Sequence, residues 1–473
     1  MQRIQGVDAA FLAAETREWH FHVSALQILN PTGVSGFGFE AFRRSCASRV
    51  HLVPQFRWRL VPPPFRLGWS WFVDDPDFDV DNHLRHLVLP EPGDRLTLSR
   101  VVGDLISHPL DRSRPLWEMW FIEGLNDGRV AVLTKVHHSI IDGESGAEAA
   151  TLLFDVGLEP ASLPAPAPYV AEPTPSWAEI LARNTAEAVT SPVRAIRYGR
   201  QLLEQAVAAV PAALSGRSPA MPFQAPPVPF NGQLTPHRGF ASAALPLDVV
   251  RDVKTAAGVK VNDVVLAVCA GVLRAQLLES GELPSRPLVA QVPVSIRATE
   301  HSREHVGTRV GAMFVSLATD IADPLERLRA VHQSSLAAKQ LESARARHRD
   351  LGLSDVVLPS MFSAAARAWS MAHLDGRTPP IYNLIISNIA GPPVDFSVAG
   401  ARVEHLYPLG PLLYGGGLNI SFFSNGDTID VGMMTCPELL PDPWAYADRF
   451  EPALAELATA TRPRHRRSRR SAL

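Results

Sequence analysis

Cysteine is scarce in this chain: three in 473 residues, Cys46, Cys269 and Cys436, far apart from one another. An odd number at such separations builds no disulfide framework, and without a C-x-x-C pair there is no cysteine-based metal site. A reducing compartment is expected, which makes the expected location cytoplasmic. Lysine is scarce beside arginine, 4 against 41. That bias speaks first of GC-rich coding and only weakly of anion recognition. Net charge is nearly absent, −3 overall, so no global field draws the chain to nucleic acid. A bilayer-length apolar run is missing too: the longest is near Val264 to Leu273, far short of a span. The opening "MQRIQGVDAAFLAAETREWHFHV" carries Asp8 and Glu15 where a secretory signal needs an apolar core, so no signal peptide is expected. Repeats at a solenoid or propeller period are also lacking.

What is present fits a large globular protein: 46% hydrophobic and 20% charged residues, enough for two substantial cores. Composition divides the chain. Residues 1–158 mix strand-like and helix-like segments and form an expected first lobe. From Glu159 to Pro175, "EPASLPAPAPYVAEPTP" has six prolines and reads as an extended linker. Trp177 to Leu214 is helical in composition, with an expected interruption near Pro192. A second proline-rich strip, "SPAMPFQAPPVPFNGQLTP", closes the connecting region at 236. Residues 237–460 are the expected second lobe. The alternative is one large sheet with an insertion. The tail, 461–473, contains "RPRHRRSRR", six arginines in nine residues. It is expected to be disordered, as a solvated end or as a tether to acidic lipid.

The chemistry concentrates in "TKVHHSIIDGESG", Thr134 to Gly146. "GRVAVLTKV" before it alternates as a strand, with Val130, Val132, Thr134 and Val136 on one face. "GESGAEAATLLFDV" after it has helical spacing. The two histidines therefore stand at a strand's C-terminal end before a turn. Successive strand residues point to opposite faces, so His137 and His138 share one cavity only if the strand has ended. The spacing assigns one as the chemical group and the other as its support. Asp142 is expected to fix the turn, and Gly143 to supply a backbone conformation that other residues resist. A neutral imidazole in such a place serves as a general base. Three other readings stay open: a metal site, though adjacent imidazoles lack a third ligand at helical or hairpin spacing; two structural histidines; and a Ser139 nucleophile, which lacks the G-x-S-x-G elbow.

His137, His138, Ser139, Ile140, Ile141, Asp142 and Gly143 spell HHxxxDG, which resembles the signature of the chloramphenicol-acetyltransferase-like acyltransferase superfamily. Within it, four further stretches resemble the bacterial wax ester synthase/diacylglycerol acyltransferase family. They are "SRPLWEMWFIEGL" (113–125), "VNDVVLAVCAGVLR" (261–274), "VPVSIR" (292–297) and "SNIAGP" (387–392), in the family's order. "VDAAFLAAE" and "HFHV" resemble its opening, although Trp19, His20 and Phe21 stand where proline and methionine are usual. The resemblance reaches about residue 460. Condensation domains of peptide synthetases share the histidine loop but not this set.

The resemblance implies an α/β fold of two chloramphenicol-acetyltransferase-like lobes with mixed sheets, joined by a crossover, with an active-site tunnel between them. It implies His138 as the catalytic base, His137 in support, and Asp142 and Gly143 as loop formers. Asn262 and Asp263 are implied to brace the site or bind substrate from the second lobe. For Asn262 the residues alone allow a hydrogen bond to the reacting centre or a helix N-cap; Asp263 is expected to be structural. Ser387 and Asn388, expected just after an apolar strand, either line the tunnel or turn the chain. Pro115, Leu116 and Trp117 are expected to pack. The implied activity is acyl transfer from a long-chain acyl-coenzyme A to diacylglycerol, giving triacylglycerol, or to a long-chain alcohol, giving a wax ester. No cofactor and no metal are expected, since acyl-coenzyme A is a substrate. The alternatives are transfer to a sugar or polyketide hydroxyl in envelope-lipid synthesis, and a non-catalytic lipid-binding or lipid-droplet protein. Arg194, Arg197 and Arg200 among apolar residues give the crossover helix a possible place on a membrane or droplet surface or in plain packing. Oligomeric state is not legible.

Overall fold

The computed structural model describes residues 2–4, 6–66, 68–141, 151–157, 169, 171, 173–214, 220–295, 310–346, 361, 363–365, 367–368, 379–392 and 394–462. In chain order the first half gives β1 (Gln2–Arg3), α1 (Gly6–Ala14), β2 (His22–Asn30), α2 (Phe39–Arg49), β3 (Trp58–Val61), β4 (Trp71–Asp74), β5 (Leu84–Val88), α3 (Arg95–Ile106), β6 (Trp117–Glu123), β7 (Val130–His137) and β8 (Asp155–Val156). The crossover helix α4 (Trp177–Leu214) follows. Next come β9 (Gly239–Pro246), α5 (Leu247–Ala257), α6 (Val261–Glu279), β10 (Val289–Ser295), β11 (Val310–Ser316) and α7 (Pro324–Ala346). The chain closes with β12 (Leu384–Ile389), β13 (Phe396–Val398), β14 (Ala401–Leu409), β15 (Leu418–Asn425), β16 (Thr428–Thr435), α8 (Trp444–Ala447) and α9 (Phe450–Thr461).

Two mixed sheets carry the architecture. The first has seven strands in the order β5-β6-β7-β2-β14-β13-β8, and the second has six, β11-β10-β12-β15-β16-β9. A small three-stranded sheet, β1-β4-β3, lies beside the first. Two lobes of mixed α/β structure are therefore present. The division at residue 236, however, does not describe the sheets. β14, from the expected second lobe, pairs with β2 from Arg402↔Asn30 to Leu409↔Ser24, and β13 and β8 extend that ladder. Phe396, Val398, Ala401 and Val403 fill the first lobe's core. Composition marks linkers, but it carries no information on which sheet a returning strand will join. Asp430, fully buried on β16, pins the excursion. It accepts from the Leu406 N–H at 2.7 Å, His405 Nδ1 at 2.9 Å, Asn425 Nδ2 at 3.2 Å and Thr428 Oγ1 at 3.0 Å. A buried carboxylate tolerates burial only with such a full set of donors.

Other expectations shift in detail. α4 runs unbroken through Pro192; the proline removes one ladder hydrogen bond, and the helix continues without it. Thr151 to Leu153 is helical, but the following Asp155–Val156 is a strand paired with Phe396 and Ser397. The alternating "NISFFSNGDTIDVGM" reads as a hairpin around "NGD", and it forms one: β15 and β16 pair from Leu418↔Thr435 to Asn425↔Thr428, and Gly426 has φ +55°. α6 is long and apolar enough to cross a membrane, yet its residues from Val264 to Leu273 are buried in the second-lobe core. The tail beyond Arg462 lies outside the described residues.

Three apolar cores result. One fills each lobe, and a third joins them, where Phe21, Leu26, Val102, Ile106 and Leu133 meet Phe240, Met434 and Cys436. α3 is one bridge between the lobes. A Cβ on its Gly103 would lie 2.6 Å from the Arg238 carbonyl oxygen, so only glycine lets β9 approach this closely. Ser99 Oγ donates to the Phe240 carbonyl, and Ser107 Oγ accepts the Arg238 N–H at 2.8 Å.

Candidate active site

β7 separates its side chains by alternation. Val130, Val132 and Val136 enter the first-lobe core, while Ala131 and Leu133 enter the core between the lobes. Lys135 and His137 continue the second face. The strand ends at His137. Its N–H donates to the Leu116 carbonyl at 2.9 Å, and the next N–H, of His138, donates to Phe21 at 2.7 Å. An Ile140 N–H to His137 carbonyl bond, 3.0 Å, then closes the turn. The strand has therefore ended between the two histidines, the condition for both to face one cavity: one lies on the strand, the other on the turn.

His137 is buried, with 1% of its surface exposed. Its Nδ1 accepts the Ser139 backbone N–H at 3.1 Å, and Ser139 Oγ lies 2.7 Å from the same nitrogen. An N–H donor fixes the tautomer: Nδ1 carries the lone pair and Nε2 the proton. Burial, reinforced by Arg112 and His138, holds the ring's protonation far below the usual histidine range. His137 is therefore a neutral bracket for the turn. The contact also disposes of Ser139 as an activated nucleophile. Its partner nitrogen already serves the backbone, and Ser139 is buried, with 7% of the residue exposed. Nε2 of His137 faces Glu15 Oε2 at 3.9 Å, longer than a hydrogen bond.

His138 is half-buried. Its ring packs on Phe11 with centroids 4.7 Å apart and planes tilted by 55°. Phe11 stacks in turn on Phe21 at 5.1 Å. Arg112 pairs with Glu15 and donates to the Leu12 carbonyl at 2.9 Å. α1 and the residue beyond it thus form one wall over both imidazoles. Asp142 and Gly143 lie outside the described residues.

Behind the pair lies a polar layer that the sequence did not reveal. Lys135, fully buried, donates to the Leu105 carbonyl at 2.9 Å and pairs with Glu118 at 2.8 Å. His22 Nε2 donates to the Ile106 carbonyl at 3.0 Å. These two side chains satisfy the orphan carbonyls at the end of α3, where positive charge is favoured. Burial lowers Lys135, opposed by Glu118. It also pushes His22 well below its ordinary range and, with help from Arg238, brings His20 down to about 4. The buried histidines with lowered pKa, His20, His22, His83 and His137, all lie in the first lobe.

In the second lobe the expected residues split again. The N-cap of α6 is Lys260, so Asn262 and Asp263 are the second and third helical residues rather than caps. Asp263 accepts the Lys260 N–H at 3.1 Å and the His332 Nδ1–H at 2.7 Å, a structural role. Asn262 turns instead toward Asn388, whose Nδ2 lies 3.5 Å from Asn262 Oδ1. Ser387 and Asn388 are not in a turn: they lie within β12, opposite Ser421 and Phe422 of β15. Trp117 packs as expected. It is sandwiched by Phe56 and His83 at 4.7 and 4.4 Å, with its Nε1–H on the Phe56 carbonyl at 2.8 Å. Among the described residues, no three histidine, cysteine or acidic side chains converge as metal ligands. Phe11, Glu15, Arg112 and His332 were missed. The first two fell in the stretch "VDAAFLAAE", but spacing alone gave no hint of what that helix would cover.

Comparison with known proteins gives this geometry its place. The wax ester synthase/diacylglycerol acyltransferase catalytic domain matches residues 4–265, and the C-terminal domain of the same family matches 306–458. A Mycobacterium tuberculosis protein with the provisional name diacylglycerol O-acyltransferase is 38% identical over 465 residues, covering 97% of this chain and 90% of that protein. A second protein of that organism, similarly named, is 33% identical over 98% of both chains. The solved wax ester synthase/diacylglycerol acyltransferase from Marinobacter aquaeolei VT8 superposes with a TM-score of 0.68 at 29% identity, over 98% of this chain and 100% of that one. The first condensation domain of the calcium-dependent antibiotic synthetase superposes at 0.57 with 16% identity, over 97% of this chain and 96% of that one, a likeness of fold. Family signatures across most of the chain, relatives of its full length and the histidine-bearing strand end agree: the chain belongs to the wax ester synthase/diacylglycerol acyltransferase family.

Proposed function

We propose that the chain transfers a long-chain acyl group from acyl-coenzyme A to diacylglycerol, making triacylglycerol, and also to long-chain alcohols, making wax esters. The supporting observation is the division of labour between the two imidazoles. His137 has its Nδ1 occupied by the Ser139 N–H, whereas His138 stands at the turn, half-buried, beside an aromatic wall. In this reading His138 takes the acceptor's hydroxyl proton as the oxygen attacks the thioester carbonyl. The tetrahedral adduct then expels the thiolate, and the imidazolium returns that proton to sulfur. One C–O bond forms, one C–S bond breaks, and free coenzyme A leaves. No side chain is acylated, so both substrates must be bound together. Asn262 and Asn388 belong to the second-lobe side of the substrate path in this reading, with Asp263 and Ser387 bracing it. No cofactor is required.

Acceptors of this kind live in lipid, so we place the working enzyme at the inner face of the cell membrane or on a lipid droplet. The crossover helix offers only part of the surface expected for this. Arg194 packs inward over Trp69 at 5.6 Å and pairs with Glu187 at 3.0 Å. Val193 and Ile196 remain exposed, at 60% and 70%.

The test is direct. Purified protein is given labelled palmitoyl-coenzyme A with diacylglycerol or with hexadecanol, and the products are separated by thin-layer chromatography. Labelled triacylglycerol is the expected main product, with palmityl palmitate second. Label appearing in neither removes this function.

A further inference from the structure

Phe11 has no part in the chemistry above, yet it is the aromatic side chain packed on the His138 imidazole. Histidine's last torsion is soft, two-fold and broad. The His138 N–H bond to Phe21 fixes the main chain but leaves the ring plane to its neighbours. α1 is well placed to set it. Ala9 and Leu12 are buried in the first-lobe core. Beyond the helix end, Arg112 clasps Glu15 and the Leu12 carbonyl, and Ser363 Oγ donates to the Ala13 carbonyl at 2.6 Å. Phe11 and Glu15 are four residues apart, and the Glu15 N–H donates to the Phe11 carbonyl at 3.1 Å, so the last helical turn carries both to one side. That face meets both imidazoles, Phe11 against His138 and Glu15 toward His137. Phe21 stacks on Phe11 at 5.1 Å, so the phenyl ring has a second aromatic contact besides the imidazole.

We propose that Phe11 is a positioning residue for the reaction: its ring, in contact with both Phe21 and His138, holds the imidazole in the plane from which it reaches the acceptor hydroxyl. This rests on the acyl-transfer reading above. A base must stand within about 3 Å of the proton that it takes. A ring turned out of that plane therefore loses rate without losing substrate affinity.

The experiment uses the full chain with Phe11→Ala, Phe11→Leu and Phe11→Tyr, assayed with palmitoyl-coenzyme A and diacylglycerol beside wild type and His138→Ala. Phe11→Ala should lower kcat about 10- to 100-fold, the scale of a small misplacement, with KM for both substrates unchanged. Phe11→Leu fills similar space without a ring and should also lose rate, whereas Phe11→Tyr should restore it. The proposal is overturned if Phe11→Leu equals wild type, which makes Phe11 a filler, or if KM rises in step with the loss, which makes it a substrate contact. If Phe11→Ala does not fold, the Leu and Tyr pair decides. If wild type transfers no acyl group, the functional reading fails by itself. Positioning is then read by NMR on histidine-labelled enzyme: the His138 ring signal, assigned by its loss in His138→Ala, should move in Phe11→Leu and return in Phe11→Tyr. A signal that does not move contradicts the proposal.

Discussion

Each lobe presents a pair of adjacent polar residues, His137-His138 in the first and Asn262-Asp263 in the second, and both pairs divide the same way. One member is buried and committed to the main chain: His137 accepts the Ser139 N–H, and Asp263 accepts the Lys260 N–H. The other is half-buried and meets a side chain from a different element, Phe11 for His138 and Asn388 for Asn262. The pairs differ in their secondary structure. His137 ends a strand, where the next residue leaves the sheet, whereas Asn262 and Asp263 sit in the first turn of a helix, about 100° apart around its axis. Adjacency thus places a group tied to the main chain beside one that meets another element, on one rigid point. Sequence order does not say which is which; local geometry does.

The sharpest break of this comparison is His138→Ala. Loss of a general base should cost about 10²–10⁴-fold in kcat, with far-ultraviolet circular dichroism unchanged. Activity retained in that variant would dissolve the division between the histidines.

Acid should separate the lobes next. His20 is held at about 4 against an ordinary 6.5, and His22 and His137 are also well below it. Between those values the unfolded chain binds more protons than the folded one. Stability is therefore complete above about pH 6.5 and falls as pH drops toward 4, by roughly 1.4 kcal/mol per pH unit for each such proton. Urea denaturation from pH 7 to 5 should show the loss, and hydrogen exchange should place it first in β2 and β7. Uniform loss across both sheets would contradict the assignment.

Asp263→Ala leaves the Lys260 N–H and His332 without their acceptor, and should cost about 1–3 kcal/mol in urea, with activity following the folded fraction. Asn262→Ala, the smallest effect, should reduce kcat/KM while shifting stability by less than about 1 kcal/mol. Equal stability losses in the two variants would erase the contrast within the second pair.

Much of this was legible beforehand because it lies in local pattern. The alternation of Val130 to Val136 gave β7, "NGD" gave the β15–β16 hairpin, and the order of five motifs gave the family. What was not legible depends on distant chain meeting. No period in "ARVEHLYPL" says that β14 will pair with β2 rather than with the second sheet. The buried Lys135 reads as an ordinary strand lysine until the end of α3 is seen to need a donor. Phe11 reads as core until its ring is found on His138. Asn262 reads as a cap because "ND" opens an apolar helix; the helix begins two residues earlier than that, at Val261, and Lys260 takes the capping place.

Free coenzyme A, measured with and without acceptor in wild type and in His138→Ala, tests direct acyl transfer most directly. Direct transfer predicts that thiol appears only when diacylglycerol or alcohol is present, and that His138→Ala loses this acceptor-dependent release. A stoichiometric burst of coenzyme A without any acceptor, or undiminished release in the variant, would contradict it.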